Sequence, residues 1–173
     1  MLRCAKLTTP GLNDANMPNL PDVPLDGLYG DLILEHFRSP RNRAILVEPD
    51  IEAQEFNPFC GDRIILQLKL DDGDRVVQVG VQSEGCSIIQ ATASLMSEAM
   101  KGKKLDELED LADLFRDTMR GKTDGQDTTV DLGPLESLAV VRRFPVRIKC
   151  ALLPWVALEE GIKTYRSSQT RDQ

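Results

Sequence analysis

The sequence has no excess of positive charge and no long apolar run. The net charge is −7 and the isoelectric point is near 4.8. The chain therefore lacks the basic face that would bind nucleic acid or an anionic membrane. No apolar run approaches the roughly 20 residues of a membrane span, and the N-terminus "MLRCAKLTTPGLND" lacks the apolar region of a secretory signal. These absences predict a cytoplasmic protein with neither nucleic acid nor membrane as a partner.

Histidine and cysteine are both scarce in this chain. There is one histidine, His36, and there are four cysteines. The cysteines are not spaced as the C-x-x-C pairs of zinc fingers. Disulfide frameworks are rare in the cytoplasm, so metal binding or catalysis is the better expected use of these thiols.

The chain divides into three sections. Residues 1–25 hold four of the ten prolines and show no periodic pattern, which predicts a flexible N-terminal extension. Residues 26–165 carry the periodic patterns and are predicted to form a single domain with one core. Residues 166–173 are polar and are predicted to be a tail that frays.

The periodicity of residues 26–165 predicts an α+β fold. Apolar residues at helical spacing in "LYGDLILEHF" predict a first helix, and "AQEFNPF" is read as a short strand. The segment "DRIILQLKLDDGDRVVQVGVQSEG" predicts a hairpin, because two β-branched runs flank an Asp- and Gly-rich turn. Helical patterns follow, and Pro154 is expected only near the start of the last helix. The result is a small antiparallel sheet of about three strands packed against several helices.

Three cysteines lie at the ends of predicted elements. Cys60 and Asp62 flank a glycine that follows a proline turn, so that the thiol and the carboxylate could point at one spot. Cys86 lies where the second hairpin strand meets a helix, and Cys150 is placed just ahead of the last helix. Helix N-termini favour thiolates, and three thiolates with one carboxylate form a set that zinc accepts. The simpler alternatives are a loop cysteine beside a solvated aspartate and cysteines that serve as small buried hydrophobes.

Four sequence blocks carry a family resemblance that covers roughly residues 28–162. They are "LYGDLILEHFRSPRN", "NPFCGD", "EGCSIIQATASLMSEAMKGK" and "FPVRIKCALLPW", and each of the last three holds one cysteine. These blocks resemble the SufU branch of the IscU/NifU-like sulfur-trafficking proteins. IscU-type scaffolds carry a histidine directly before the last cysteine and a Leu-Pro-Pro-Val-Lys block, whereas this chain has Lys149 and "RFPVRIKC". The helix-rich segment near residues 105–140 also resembles the insertion typical of SufU-type proteins.

The resemblance implies a zinc-dependent sulfurtransferase. Such a protein takes persulfide sulfur from a pyridoxal-phosphate cysteine desulfurase of the SufS type and passes it towards a downstream cluster-assembly scaffold. By the same resemblance, Cys60, Asp62, Cys86 and Cys150 would be the zinc ligands. Cys60 would also be the sulfur acceptor.

Two other functions fit the same residues. The four residues could transiently hold a [2Fe–2S] cluster, as in a scaffold. The chain could also be a zinc-stabilised module that binds the desulfurase without changing its turnover.

Four further residues have open roles at this level. His36 could be a fifth ligand, but a surface residue of the first helix near the site, or a part of that helix's packing, is favoured. Arg147 and Lys149 could offset the negative charge of the site or attract an anionic persulfide, and the alternative is a pair of solvated basic residues on an edge strand. Cys4, in the N-terminal extension, is taken as incidental.

Overall fold

A computed structural model describes residues 30–123 and 129–171. The predicted N-terminal extension and Cys4 lie outside the described residues. The elements follow in the order α1 Asp31–Arg38, β1 Ile51–Asn57, β2 Asp62–Leu70, β3 Val76–Glu84, α2 Ser87–Met100, α3 Leu105–Met119, a 3₁₀ helix Gly133–Arg143 and α4 Pro145–Arg171.

The sheet is antiparallel with the strand order β1-β2-β3. The turn between β2 and β3 forms because the Asp71 carboxylate accepts the backbone N–H groups of Gly73 and Arg75, each at 2.9 Å. Alternate side chains of β2, those of Ile64, Leu66 and Leu68, point into the core, as the two-residue period of a strand predicts. The predicted α+β fold with a three-stranded sheet is therefore confirmed.

Helices α2 and α4 pack together against one face of this sheet. Small residues let α2 approach closely, because Ala91, Ala93 and Ser94 are all buried. Behind them α3 packs on α4, where the rings of Phe115 and Trp155 stack with centroids 4.8 Å apart. The core therefore lies between the sheet and the helices, and the β1–β2 turn lies at one end of it.

The start of the last helix differs from the sequence-based prediction. Helix α4 begins at Pro145, where proline is favoured because the first helical N–H has no intrahelical partner. Cys150 therefore lies more than one turn inside the helix, and the prediction that it precedes the helix is wrong. Pro154 is also interior, and it has no N–H to donate to the carbonyl of Cys150. Burial of Trp155 and the residues around it keeps the helix intact through this position.

The far end of α4 also extends beyond the predicted limit of the domain. The helix continues to Arg171, into the segment that was expected to fray. Arg166 donates to Asp106 and Glu109 of α3 and so ties this end down. Among the described residues, no helix is both long and apolar enough to cross a membrane.

Candidate metal centre

The β1–β2 turn presents Cys60 to solvent. The side-chain Oδ1 of Asn57 accepts a hydrogen bond from the backbone N–H of Phe59 at 3.1 Å. The backbone carbonyl of Asn57 accepts one from the N–H of Gly61 at 2.8 Å. Gly61 has φ +73, a conformation that glycine adopts without steric cost. This turn leaves the Cys60 thiol exposed. We call residues 57–61 the tip.

Asp62, the first residue of β2, is 0% exposed. Its Oδ1 accepts the backbone N–H of Cys86 at 3.2 Å. Its Oδ2 is buried and has no hydrogen-bond partner among the described residues. A buried carboxylate oxygen without a partner is costly unless a cation compensates it. The alternative of a solvated aspartate at this position is therefore wrong, and the geometry fits a carboxylate that can bind a metal ion.

Gly85 makes room for this carboxylate. Its φ is +134, and a Cβ built on it would lie 2.1 Å from Asp62 Oδ1. Sequence reasoning missed this role, although the glycine directly before Cys86 was a visible signal. Gly85 thus fixes where the Asp62 side chain can lie.

The other two cysteines are held by helices. Cys86 is the N-cap of α2, as the sequence predicts. Cys150 is buried in α4. Burial raises the pKa of the Cys150 thiol, and its hydrogen bond with Asp62 and the nearby Cys86 raise that pKa further. The expectation that a helix N-terminus lowers the pKa is therefore wrong for Cys150, because this residue lies inside α4.

The fold brings these side chains together. The ligand atoms of Cys60, Asp62 and Cys150 all lie within 4.8 Å of one another. Among the described residues Cys86 is not part of that group, but its side chain is a hydrogen-bond partner of Cys150. Thiols and a carboxylate in this number form a donor set that zinc accepts. The residues present therefore fit a zinc ion, although their role as ligands stays a prediction.

His36 lies in the packing of α1 against α2. It is 3% exposed, and its Nδ1 lies 2.8 Å from the hydroxyl of Ser94. Its Nε2 is 3.7 Å from a carboxylate oxygen of Glu98. Burial, followed by the nearby Arg41, lowers the pKa of His36. Of its expected roles, the structure supports helix packing, and His36 is not in the group of Cys60, Asp62 and Cys150 whose ligand atoms lie close together.

Lys149 and Arg147 lie in the first turns of α4, so the alternative that placed them on an edge strand is wrong. The Lys149 ammonium group is 5.7 Å from the ring centroid of Phe59. This distance is within the range of a cation–π interaction, so Lys149 lies over the Phe59 ring of the tip. The exposed aromatic side chain within "NPFC" was a signal for this contact that sequence reasoning did not use.

A three-stranded antiparallel sheet packed against helices, with a cluster of thiols and a carboxylate at one end, defines the class of protein to which this chain belongs. The model of the NifU-like N-terminal domain family matches residues 28–172, and the chain belongs to this family.

The relatives of this chain carry names with different roles. The zinc-dependent sulfurtransferase SufU of Bacillus subtilis is 46% identical over 138 residues, which cover 80% of this chain and 91% of that protein. The iron–sulfur cluster assembly scaffold protein IscU of Streptococcus pyogenes is 36% identical over 146 residues, which cover 84% of this chain and 89% of that protein. The crystal structure of a nitrogen-fixing NifU-like protein (N-terminal) from Brucella abortus matches this fold with a TM-score of 0.72 at 25% identity. The match covers 83% of this chain and 97% of that chain.

Replacing Gly85 with alanine should disturb the centre more than it disturbs the fold. The new methyl group would displace the Asp62 carboxylate, so we expect metal retention after dialysis to fall by about tenfold or more, as for lost supporting contacts of a metal site. Gly102→Ala is the matched control, because Gly102 also has a positive φ but no described atom lies within 4 Å of its added Cβ. Equal metal retention in the two variants would contradict this role of Gly85.

Proposed function

We propose that this chain is a zinc-dependent sulfurtransferase for iron–sulfur cluster assembly. It accepts persulfide sulfur at Cys60 from a pyridoxal-phosphate cysteine desulfurase and passes it to a downstream assembly scaffold. One observation carries the proposal: within one cluster the Cys60 thiol is exposed, whereas Asp62 and Cys150 are buried. A centre with one accessible thiol suits transfer to and from a partner.

Cys60, Asp62, Cys86 and Cys150 would hold the zinc ion. When bound, zinc would keep these thiols deprotonated at neutral pH. Two features support this assignment: the Asp62 oxygen that no described residue bonds, and the raised pKa of Cys150. Both features are unfavourable in a metal-free centre and are relieved by a cation.

The proposed transfer is a thiol exchange without net oxidation. The Cys60 thiolate attacks the terminal sulfur of the donor persulfide, R–S–SH. A new S–S bond forms on Cys60 while the S–S bond of the donor breaks, and the donor cysteine leaves as a thiolate. The proton stays on the transferred sulfur, so Cys60 ends as Cys–S–SH and no external oxidant or reductant is needed.

The local structure favours Cys60 over the other two thiols as the acceptor. Cys60 lies in a turn beside Gly61, where the backbone can move without unwinding an element. Cys86 caps α2 and Cys150 is enclosed by α4. These two residues and Asp62 would stay in place while Cys60 reacts.

A cluster scaffold is the second candidate function. It is favoured by the 36% identity to a relative named as an IscU scaffold. In that case iron and sulfide are the cargo of the same four residues. Lys149 supports the sulfurtransferase instead, because it stands directly before Cys150, where IscU-type scaffolds carry a histidine.

Turnover of the desulfurase tests the proposal. We expect the chain to raise alanine production from cysteine by about tenfold or more, a change of about 1.4 kcal/mol in the limiting barrier. Unchanged turnover despite binding would support a non-enzymatic module and contradict the proposal. In parallel, the protein is mixed with iron and sulfide. A stable brown colour that survives gel filtration would favour the scaffold, whereas the sulfurtransferase should elute colourless with its zinc.

A further inference from the structure

Two adjoining cavities lie beside the tip. The first has a volume of about 310 Å³ and the second about 500 Å³, and Cys60 lines the second. Phe59 and Lys149 line both cavities, so the two form one groove, which we call the tip groove. Phe59 is 91% exposed, and Val146, which lines the second cavity, is 80% exposed. Contiguous apolar side chains of this kind indicate a surface that another segment covers.

The shape and charge of the tip groove restrict what can fill it. The groove follows α4 from Val146 to Val156. These residues lie ten positions apart in the helix, which corresponds to about 15 Å along its axis. Among the described residues that line the groove, none is acidic and Lys149 is basic. An occupant that fits is therefore extended, apolar and acidic.

One segment of the chain itself combines these properties. Residues 20–26 read "LPDVPLD", and we call them the proline segment. Two prolines three positions apart favour a polyproline II helix, which has three residues per turn and a rise of about 3.1 Å per residue. In that conformation the segment would extend over about 19 Å, with Leu20 and Val23 on one face and Asp22 on another. Such segments bind grooves lined by aromatic side chains, because they lose little conformational entropy on binding.

The charge and the reach of the proline segment also fit the tip groove. Residues 7–29 contain three aspartates and no lysine or arginine, so carboxylates are available for Lys149. Leu20 precedes Gly30, the first described residue, by ten positions. Ten extended residues span up to about 33–36 Å, which is about the diameter of a domain of this size. Helix α1 follows Gly30 and packs on the 3₁₀ helix that leads towards Val146, so the groove lies within reach.

We propose that residues 20–26 of the same chain lie in the tip groove and cover the Cys60 thiol. The apolar face of the proline segment packs on Phe59 and Val146, and its carboxylates face Lys149. Because the segment is tethered to the domain, it meets the groove at a high effective concentration and can leave it without dissociating from the protein. The N-terminal extension is thus a strap that limits access to this thiol, whichever reaction the thiol performs.

The rate at which Cys60 is alkylated tests the strap. The full-length chain is treated with iodoacetamide, and labelling of the Cys60 peptide is followed by mass spectrometry. A chain with Leu20→Ser and Val23→Ser should be alkylated about fivefold faster than the parent, because the strap then no longer lowers the accessible fraction of the thiol. Leu7→Ser with Leu12→Ser is the matched control, since it makes comparable changes outside the proline segment. The control should react within about twofold of the parent.

An exchange of charges tests the pairing with Lys149. In a Lys149→Glu chain, the addition of Asp22→Lys should slow alkylation of Cys60 by about threefold, because it restores opposite charges across the groove. The effect should disappear at about 0.5 M salt, where exposed charges are screened. Asp14→Lys in the same Lys149→Glu chain is the control, since it changes the net charge equally outside the proline segment. It should leave the rate within about 1.5-fold.

Photo-crosslinking locates the proline segment directly. Benzoylphenylalanine is placed at the position of Val23, and the irradiated protein is digested and mapped by mass spectrometry. The crosslinks should join this position to peptides that contain Phe59 or Val146. In a mixture of nitrogen-15-labelled and unlabelled chains, both ends of each crosslink should belong to the same chain.

Three results would overturn the strap. The first is alkylation of the Leu20→Ser, Val23→Ser chain at the rate of the parent or of its control. The second is crosslinking to peptides elsewhere in the domain, and the third is crosslinking between differently labelled chains. Circular dichroism and metal content are measured for each variant, so that a loss of folding is recognised. None of these measurements needs a sulfur donor, so failure of the proposed function would leave their outcome unchanged.

Discussion

Serine in place of Cys60 should abolish sulfur acceptance while the rest of the centre stays folded. After incubation with the desulfurase and cysteine, the parent should carry an additional mass of about 32 Da on the Cys60 peptide, the mass of one sulfur atom. In Cys60→Ser the fraction of this peptide that carries the added sulfur should fall by at least about 100-fold, because a hydroxyl is a far weaker nucleophile than a thiolate. Asp62, Cys86 and Cys150 remain near one another in the fold, so zinc should still bind, with water in the vacated position.

Mapping every cysteine peptide provides the control for this experiment. Cys4→Ser should accept sulfur like the parent, since Cys4 lies outside the motif blocks. Persulfide found mainly on Cys150, with Cys60→Ser still active, would assign the chemistry to the buried thiol. That result would contradict the proposed roles and favour the scaffold.

Removing the metal should lower the stability of the domain by a large amount. We expect about one zinc ion per chain, with Zn–S distances near 2.3 Å by X-ray absorption. A structural zinc ion can supply on the order of 10 kcal/mol of folding free energy. For a domain of this size, about 1 kcal/mol shifts the melting temperature by 2–4 °C. Chelation should therefore lower that temperature by about 10 °C or more, and a metal-free preparation that melts with the parent and transfers sulfur would refute the zinc assignment.

Asp62→Asn should have opposite effects on stability without and with zinc, so it distinguishes metal binding from folding. The amide oxygen can still accept the N–H of Cys86, as Asp62 Oδ1 does at 3.2 Å. The variant removes the charge from the buried oxygen that no described residue bonds. The metal-free variant should thus be at least as stable as the metal-free parent, whereas with zinc it should melt lower and lose its metal sooner. Tighter retention of zinc by Asp62→Asn would mean that Asp62 is not a ligand.

Local patterns in the sequence predicted most of the sheet and of α2. The alternation in β2 places Ile64, Leu66 and Leu68 on one face. The turn after β2 forms because the Asp71 carboxylate accepts backbone N–H groups within the turn. These elements are predictable because each depends on residues close to it in the chain. The small residues of α2 likewise indicated close packing from their own spacing.

The last helix was less predictable, because two prolines give conflicting local signals. Both Pro145 and Pro154 resemble helix starts, and sequence reasoning chose a start near the second. The structure begins α4 at Pro145 and continues through Pro154. Packing of the buried Trp155 outweighs the hydrogen bond lost at Pro154. This choice moved Cys150 from a helix end to an enclosed position.

By itself the sequence determined the family of the chain, its fold class and the residue types that can bind a metal ion. Only the tertiary structure decided how these residues differ: Cys60 is exposed, Cys150 is buried, and the Asp62 carboxylate is enclosed beside Gly85. It also decided that Phe59 and Val146 line one cavity next to the exposed Cys60 thiol. The physical reason is that exposure depends on which distant segments pack together, here β2 with α2 and α4, and no pattern within one segment records that packing.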